Sequence, residues 1–299
     1  MKIIPKEIPV PKLHHYLLGA VGPRPIAFAS TIDLNGNDNL APFSFFNVFS
    51  ANPPILIFSP ARSGRTNQTK DTYNNVKKKP EVVINLVNHA IVHQMSLASS
   101  PYEPKTSEFV KAGFTAIDSD FVDPKRVKES PVQFECKVNE VVELGANGGA
   151  GNLVICEVLC MHIDDAILDE NGMIDQHKID LVSRMGGNWY CRADKNSMFE
   201  IQKPITTLGV GIDKIPTEIK ESKILSGNDL GQLGGVENIP DETEVNEYKL
   251  LELSDLFISL EDNPKKLEEE LHLLAKSKLE KNNTEEAWKT LLSFNNNNG

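Results

Sequence analysis

Positive charge is what this chain has least of. Its 299 residues hold 31 Lys and Arg against 42 Asp and Glu, a net charge of −11. A nucleic-acid binder carries a basic footprint, so an anionic partner here must be caught by a local basic cluster working against the global field. Long apolar runs are also missing. A membrane-spanning helix needs about 20 consecutive apolar residues, and no stretch approaches that. The opening MKIIPKEIPVPKLHH has no apolar core long enough for a secretory signal. Cysteine is scarce, with only Cys136, Cys156, Cys160 and Cys191, and free thiols in a reducing compartment are the simplest reading. These absences predict a soluble, cytoplasmic protein.

What the chain does have is an unusual concentration of Phe. Residues 41–60, APFSFFNVFSANPPILIFSP, hold five of its thirteen: Phe43, Phe45, Phe46, Phe49 and Phe58. Ser44, Asn47, Ser50, Asn52 and Ser59 are interleaved with them. A core would be better served by apolar residues alone and a loop by polar ones. Flat apolar walls beside small hydrogen-bonding groups suit a heteroaromatic ring.

The chain pattern is many short strands with turn signals and few helices, which predicts a closed or partly closed antiparallel barrel rather than a doubly wound sheet. Residues 1–23 read as a Pro-punctuated approach. RPIAFASTID (24–33) alternates as a strand, with Ile26, Phe28, Ser30 and Ile32 on one face. Asn35-Gly36 signals a hairpin, and 39–47 is the return strand, where Pro42 implies an edge or a bend. Further strands are expected at 55–60, 81–87, 132–144 and 152–164. Short helices are expected at TKDTYNNVKKK and after Asn88, the latter capped by Asn88. After residue 200 the character changes. Residues 225–245 are Gly-rich and acidic and read as loop; 246–260, 264–281 and 284–294 read as helices, with Asn263-Pro264 as a helix start. The final NNNNG should fray.

The loop SPARSGRTNQTKDT (59–72) is the sharpest chemical feature. Arg62, Arg65 and Lys70 lie close together and the loop runs into a helix, whose free N–H groups and dipole suit a phosphate. On spacing alone a solvated loop is the commoner meaning, and the Gly-Lys-Ser/Thr of the Walker loop is absent. Beside the Phe-rich stretch, however, a phosphate reader next to a ring reader implies a mononucleotide-like cofactor. Other patterns weigh less. His89 and His93 have the i, i+4 spacing of a metal pair without a third ligand. Cys156, Cys160 and His162 share one strand face, but the spacing supplies no fourth ligand, so no metal site is expected. GANGGAG (145–151) lies between strands and opens no helix, so it is a turn rather than a dinucleotide fingerprint. Arg184, Tyr190 and Arg192 remain possible ring or phosphate contacts.

GPRPIAFASTID, NLAPFSFFNVFSANPP, TKDTYNNV, VVINLV, FECKVNEVVELG, CEVLCMHID and LVSRMGGNWY occur in this order over roughly residues 10–195. Together they resemble the flavin reductase-like family, which includes flavoredoxin. The resemblance implies a mainly β fold, an FMN-binding split β-barrel with peripheral helices, over residues 1–200. Residues 201–299 form a loop-rich, then helical extension outside the match. It further implies a homodimer, and an oxidoreductase that reduces its flavin with NADH or NADPH and passes electrons onward. An electron carrier fed by a protein partner, or a non-catalytic FMN-binding module, are the alternatives. Carried over by motif, Ala29, Ser30, Thr31, Pro42, Ser44, Phe45 and Asn47 should line the isoalloxazine. Ser59, Arg62, Lys70, Asp71 and Thr72 should hold the ribityl-phosphate end. Cys156 stands where many relatives carry Gly. No protein nucleophile is expected, because the cofactor carries the hydride chemistry.

Overall fold

The computed structural model describes residues 1–103, 106–201, 203–204 and 207–294. They form two compact units, Met1–Phe199 and Glu200–Gly299.

The first unit is built on a seven-stranded antiparallel sheet. Its strands are β1 (Ala27–Ile32), β2 (Asp38–Phe43), β3 (Phe46–Ala51), β4 (Pro54–Phe58) and β5 (Glu81–Asn85). Two-residue strands β6 (Ala116–Ile117) and β7 (Arg126–Val127) pair with each other, and long strands β8 (Val132–Glu143) and β9 (Asn152–Ile163) complete the main sheet. The order is β2-β1-β5-β8-β9-β4-β3, and β10 (Val182–Arg184) pairs with β11 (Tyr190–Arg192) apart from it. Helices α1 (Val10–Ala20), α2 (Asp71–Lys78), α3 (Val92–Ala98), α4 (Glu108–Ala112) and α5 (Gln176–Ile179) lie around the sheet.

Alternation along β1 explains why the sheet is buried on both sides. Ala27 and Ala29 face a core containing Phe43, Phe58, Val82, Ile84 and Val154. Phe28 faces the opposite way, into Leu40, Met95, Phe109 and Phe114 from the helical cover. The sheet curls strongly: Phe43 on β2, at one end of the strand order, meets Phe58 on β4, near the other end, with ring centroids 5.5 Å apart. The end strands β2 and β3 are not paired with each other, so the barrel is open there. They follow one another in sequence across Ser44 and Phe45. The expected single strand over 39–47 is therefore two strands and a corner. Pro42, which lacks an N–H, sits on the edge strand as expected, opposite Phe28.

Three other expectations are corrected. The Pro-punctuated start contains helix α1, with Pro9 at its N-cap and a Pro within its first turn, where a missing N–H costs nothing. Asn88 caps nothing; its chain enters a short 3-10 turn and its Oδ1 is buried without a partner. The Gly-rich stretch 225–245 is not all loop, as the second unit shows.

That unit holds α6 (Thr217–Lys220), α7 (Gly227–Gly234), α8 (Glu242–Glu252), α9 (Ser254–Ser259), α10 (Pro264–Leu279) and α11 (Thr284–Leu292). Ser226 and Asp229 form a reciprocal capping box that starts α7 despite its glycines. Asn263 caps α10 with Pro264 in the first turn. Trp288 is fully buried among Leu233, Ala275, Leu279 and Leu291, and its indole N–H donates to the Leu233 carbonyl at 3.0 Å. The frayed end expected at 295–299 lies outside the described residues.

Candidate functional site

The corner between β2 and β3, the loop 59–70, the start of α2 and the β8–β9 turn come together at one end of the sheet. Ser59 N donates to the Phe45 carbonyl at 2.9 Å, tying the loop to the corner. Ser59 Oγ accepts from Asn152 N at 3.0 Å, and Asn152 Nδ2 donates to the Pro60 carbonyl at 2.8 Å. Arg62 N donates to Ala150 O and Gly149 N to Arg62 O, at 2.8 and 3.0 Å. The turn 145–151 is thus a β-hairpin tip that braces the loop. Its glycines are needed for closeness: a Cβ on Gly148 would stand 2.9 Å from Ser63 O, and one on Gly151 2.8 Å from Ser59 Oγ.

Arg62 is turned toward its own loop. Its Nε and Nη2 donate to Asn67 Oδ1 and O at 2.9 and 2.8 Å, and Asn67 holds a left-handed φ of 57°. Lys70 is exposed at the N-cap position of α2 and gives that helix no side-chain cap. The first-turn N–H groups of α2 therefore lack a side-chain acceptor, which suits an anion. Asp71, exposed in the same turn, opposes one by charge. Thr72 faces inward instead. Its Oγ1 donates to Asn39 Oδ1 at 2.8 Å, and Thr31 Oγ1 donates to the same oxygen at 3.2 Å. Asn75 Nδ2 donates to Thr31 Oγ1 at 3.1 Å. Glu108 closes the network, accepting from Leu40 N at 3.0 Å and Asn39 Nδ2 at 3.4 Å. Burial raises the Glu108 carboxyl above its usual range, against the pull of the Leu40 N–H.

The ring-lining candidates divide. Ala29, Ser30 and Thr31 are fully buried, and alternation sends Ser30 to the opposite face from its neighbours. Ser30 Oγ has no hydrogen-bond partner among the described protein atoms, and neither has the buried Asn152 Oδ1 beside the loop. Pro42 and Ser44 are half-buried, while Phe45 and Asn47 are exposed at the corner. His14 of α1 meets the Phe45 ring edge-on at 6.4 Å. Arg24 supports Ser44 from behind. It is buried, its Nε lies 3.5 Å from Ser44 Oγ, and its other nitrogens donate to the carbonyls of Leu18, Val21 and Met185.

The residues named less firmly from sequence have other work. Arg192 makes a two-pronged pair with Asp180 at 2.7 and 2.8 Å. Arg184 stacks over Tyr190 at 4.6 Å. Burial pushes the Cys136 and Cys156 thiols up, which keeps both unreactive. Sequence reasoning missed Arg24, Asn39, Asn75, Glu108 and Asn152. No local pattern marks them, because each acts through partners distant in sequence.

A profile described as "flavin reductase like domain" matches residues 20–179. An uncharacterized protein of Aquifex aeolicus is 37% identical over 193 residues, covering 64% of this chain and 96% of that protein. Nitrilotriacetate monooxygenase component B from Bacillus cereus is 29% identical, with a TM-score of 0.62 over 67% of this chain and 98% of its own. A putative flavin reductase with a split barrel domain from Shewanella frigidimarina is 28% identical, with a TM-score of 0.55 over 65% and 94%.

Proposed function

This chain belongs to the flavin reductase like family, and we propose that its first unit holds FMN and works as an NAD(P)H-dependent oxidoreductase. A flavin-associated oxidoreductase role follows from the family; FMN, the donor and the residues are our reading. The observation that carries it is the uncapped start of α2 with Lys70 at its N-cap and Arg62 nearby in the loop that leads to it. Ammonium and helix N–H then serve one phosphate, and Arg62, whose Nε and Nη2 are held by Asn67, can add its remaining nitrogen. Bound FMN supplies the capacity to accept and release a hydride. Pro42 and Phe45 offer it apolar walls, and Ser44 and Asn47 offer small polar groups at the edge. The braced loop would hold the phosphate end, and Pro42, Ser44, Phe45 and Asn47 at the corner would receive the ring.

Calorimetric titration tests this directly. Loss of one charge-assisted bond is worth roughly 1.5–3 kcal/mol, so Lys70→Ala should weaken FMN about ten- to hundredfold and leave riboflavin nearly unchanged. Equal losses for both ligands would place Lys70 away from the phosphate. Anaerobic mixing of the FMN-loaded protein with NADH and with NADPH should bleach the oxidised flavin band. Bleaching only by a reduced partner protein would favour the electron carrier; no reduction by either would favour the non-catalytic module.

We also propose a homodimer. Edge strand β3 exposes Val48 and Phe49 at 63% and 64%, and no residue of α1 is buried within the single chain. An 11-residue helix that buries only Leu13, Tyr16 and Leu18, and those partly, is marginal in water, and an apolar strand edge invites pairing. Light scattering that returns a monomer at working concentration would end this part of the proposal.

A further inference from the structure

A second cluster of chemistry lies on β8 and β9, among groups the flavin reading does not use. Glu135 is fully buried, stands opposite a β-bulge whose extra residue, Leu159, lies in β9, and faces Cys160 across the β8–β9 ladder. Bulges recur where a strand re-aims a side chain for function. His162, two residues on from Cys160 and on the same face, reaches the same point. Its Nε2 is 2.7 Å from Glu135 Oε1, 3.6 Å from Cys160 Sγ and 3.7 Å from Asp120 Oδ2. The three ligand atoms of Asp120, Glu135 and His162 all lie within 4.8 Å of one another. The strand spacing Cys160-x-His162 lacked further ligands in sequence; the fold brings them from β8 and from the loop before β7.

We propose that Asp120, Glu135 and His162 bind a divalent transition metal of the zinc class, with Cys160, now near His162 alone, moving in as the fourth ligand. On a tetrahedral zinc, bonds of about 2.3 Å to sulfur and about 2.0–2.1 Å to nitrogen put those two atoms about 3.5 Å apart. The Cys160–His162 separation of 3.6 Å already has that length. The short His162–Glu135 contact is instead that of a shared proton, and metal takes that proton's place. The Nε2 proton leaves that nitrogen, the Cys160 thiol loses its own, and the imidazole draws back by less than an ångström. The same contacts argue against a Cys-His-Glu nucleophilic relay, because thiol and carboxylate both address Nε2 and neither reaches Nδ1. Arg126 is the competing cation, with Nε 3.6 Å from Glu135 Oε1. It is also held by the Asp118 carbonyl and Gln133 Oε1. The Asp120 and Phe121 N–H groups keep Glu135 oriented, donating at 2.6–3.1 Å. With Cys160 drawn in as the fourth ligand the site would be closed and structural, clasping the loop through Asp120 to the sheet.

The test is zinc titration of the full-length, FMN-loaded, chelator-treated protein, followed by calorimetry and thermal melting. We expect one equivalent to bind, to release protons and to raise Tm. Cobalt in its place should give the intense red-region bands of a tetrahedral site, beyond the flavin absorption. Asp120→Asn alters a mostly exposed side chain and should weaken zinc at least tenfold. His162→Gln should abolish the stoichiometric step while the flavin spectrum stays unchanged. No uptake by the wild-type protein, or uptake that survives both substitutions undiminished, overturns the site.

Discussion

The two units differ in how they are built and in what they carry. Residues 1–199 hold 22 acidic and 20 basic residues, net −2; residues 200–299 hold 20 and 11, net −9. Most of the charge that argued against nucleic acid therefore belongs to the helical unit. The residues of the β unit are nearly balanced in charge, so the acidity of the whole chain is not a property of the unit that carries Arg62 and Lys70. The family match ends at residue 179, short of the helical unit. The β unit is held by long-range ladders around an open corner. The helical unit is held by capped helices packed over two apolar clusters, one of them around the buried Trp288 indole. Whole-chain averages hide both facts.

The sharpest way to break this contrast is to unfold one unit and leave the other. Trp288→Ala removes a fully buried indole and leaves the Leu233 carbonyl without its donor. We expect a loss of about 3–5 kcal/mol in the helical unit, seen as lost helical circular dichroism. FMN affinity should hold; a parallel fall would show that the units are energetically one. Next in size is Gly148→Ala, whose Cβ would press on Ser63 O at 2.9 Å and Gly64 O at 3.3 Å. Overpacking of this kind costs about 1–3 kcal/mol, and here it should loosen the loop and weaken FMN without touching the helices. Unchanged FMN binding would detach the hairpin tip from the site.

Smaller effects sharpen the comparison. Ser226→Ala removes the hydroxyl that accepts from Asp229 N and should cost the helical unit about 1 kcal/mol, read as a lower Tm for that transition alone. The least is a pH effect in the β unit. Asp33 accepts from Asn37 and Asn35, which lowers its carboxyl from 3.8 to about 2. A depressed carboxyl stabilises the fold above the unfolded value and loses that contribution as pH falls through the folded one. Asp33→Ala should therefore flatten the acid side of the stability curve between about pH 4 and pH 2 and change nothing near neutrality. An unchanged acid limb would mean the hairpin carboxylate is not coupled to folding.

Local chemistry was legible in the sequence where one residue type dominates the backbone's choices. Asn35-Gly36 gave the hairpin, Asn263-Pro264 the start of α10, and Pro42 an edge strand. The glycines of 145–151 read correctly as a turn, but not as a brace, because the atoms they admit, Ser59 Oγ and Ser63 O, lie more than 80 residues away. Helix α1 was hidden by its prolines, and α7 by its glycines, although Ser226-x-x-Asp229 was there to be read as a cap. At the site, charged loop residues were visible. The support beneath them was not: Asn39, Asn75 and Glu108 act through partners 33–69 residues distant. Glu135 and Asp120 likewise meet His162 only through strand register.

The two unpaired edges of the sheet, β2 and β3, are joined across Ser44 and Phe45. From Phe43 to Phe46 the chain advances three residues, and an extended chain covers at most about 3.6 Å per residue. The gap can therefore never exceed about 10–11 Å at that end. At the other, Asp38 and Ala51 carry no such tether. The Phe-rich corner therefore acts as a hinge whose span has a ceiling, while the far ends are held only through their ladders to β1 and β4. Whatever enters against Phe45 and Asn47 meets a mouth of bounded width, and any wider parting of the strands must come at the far end.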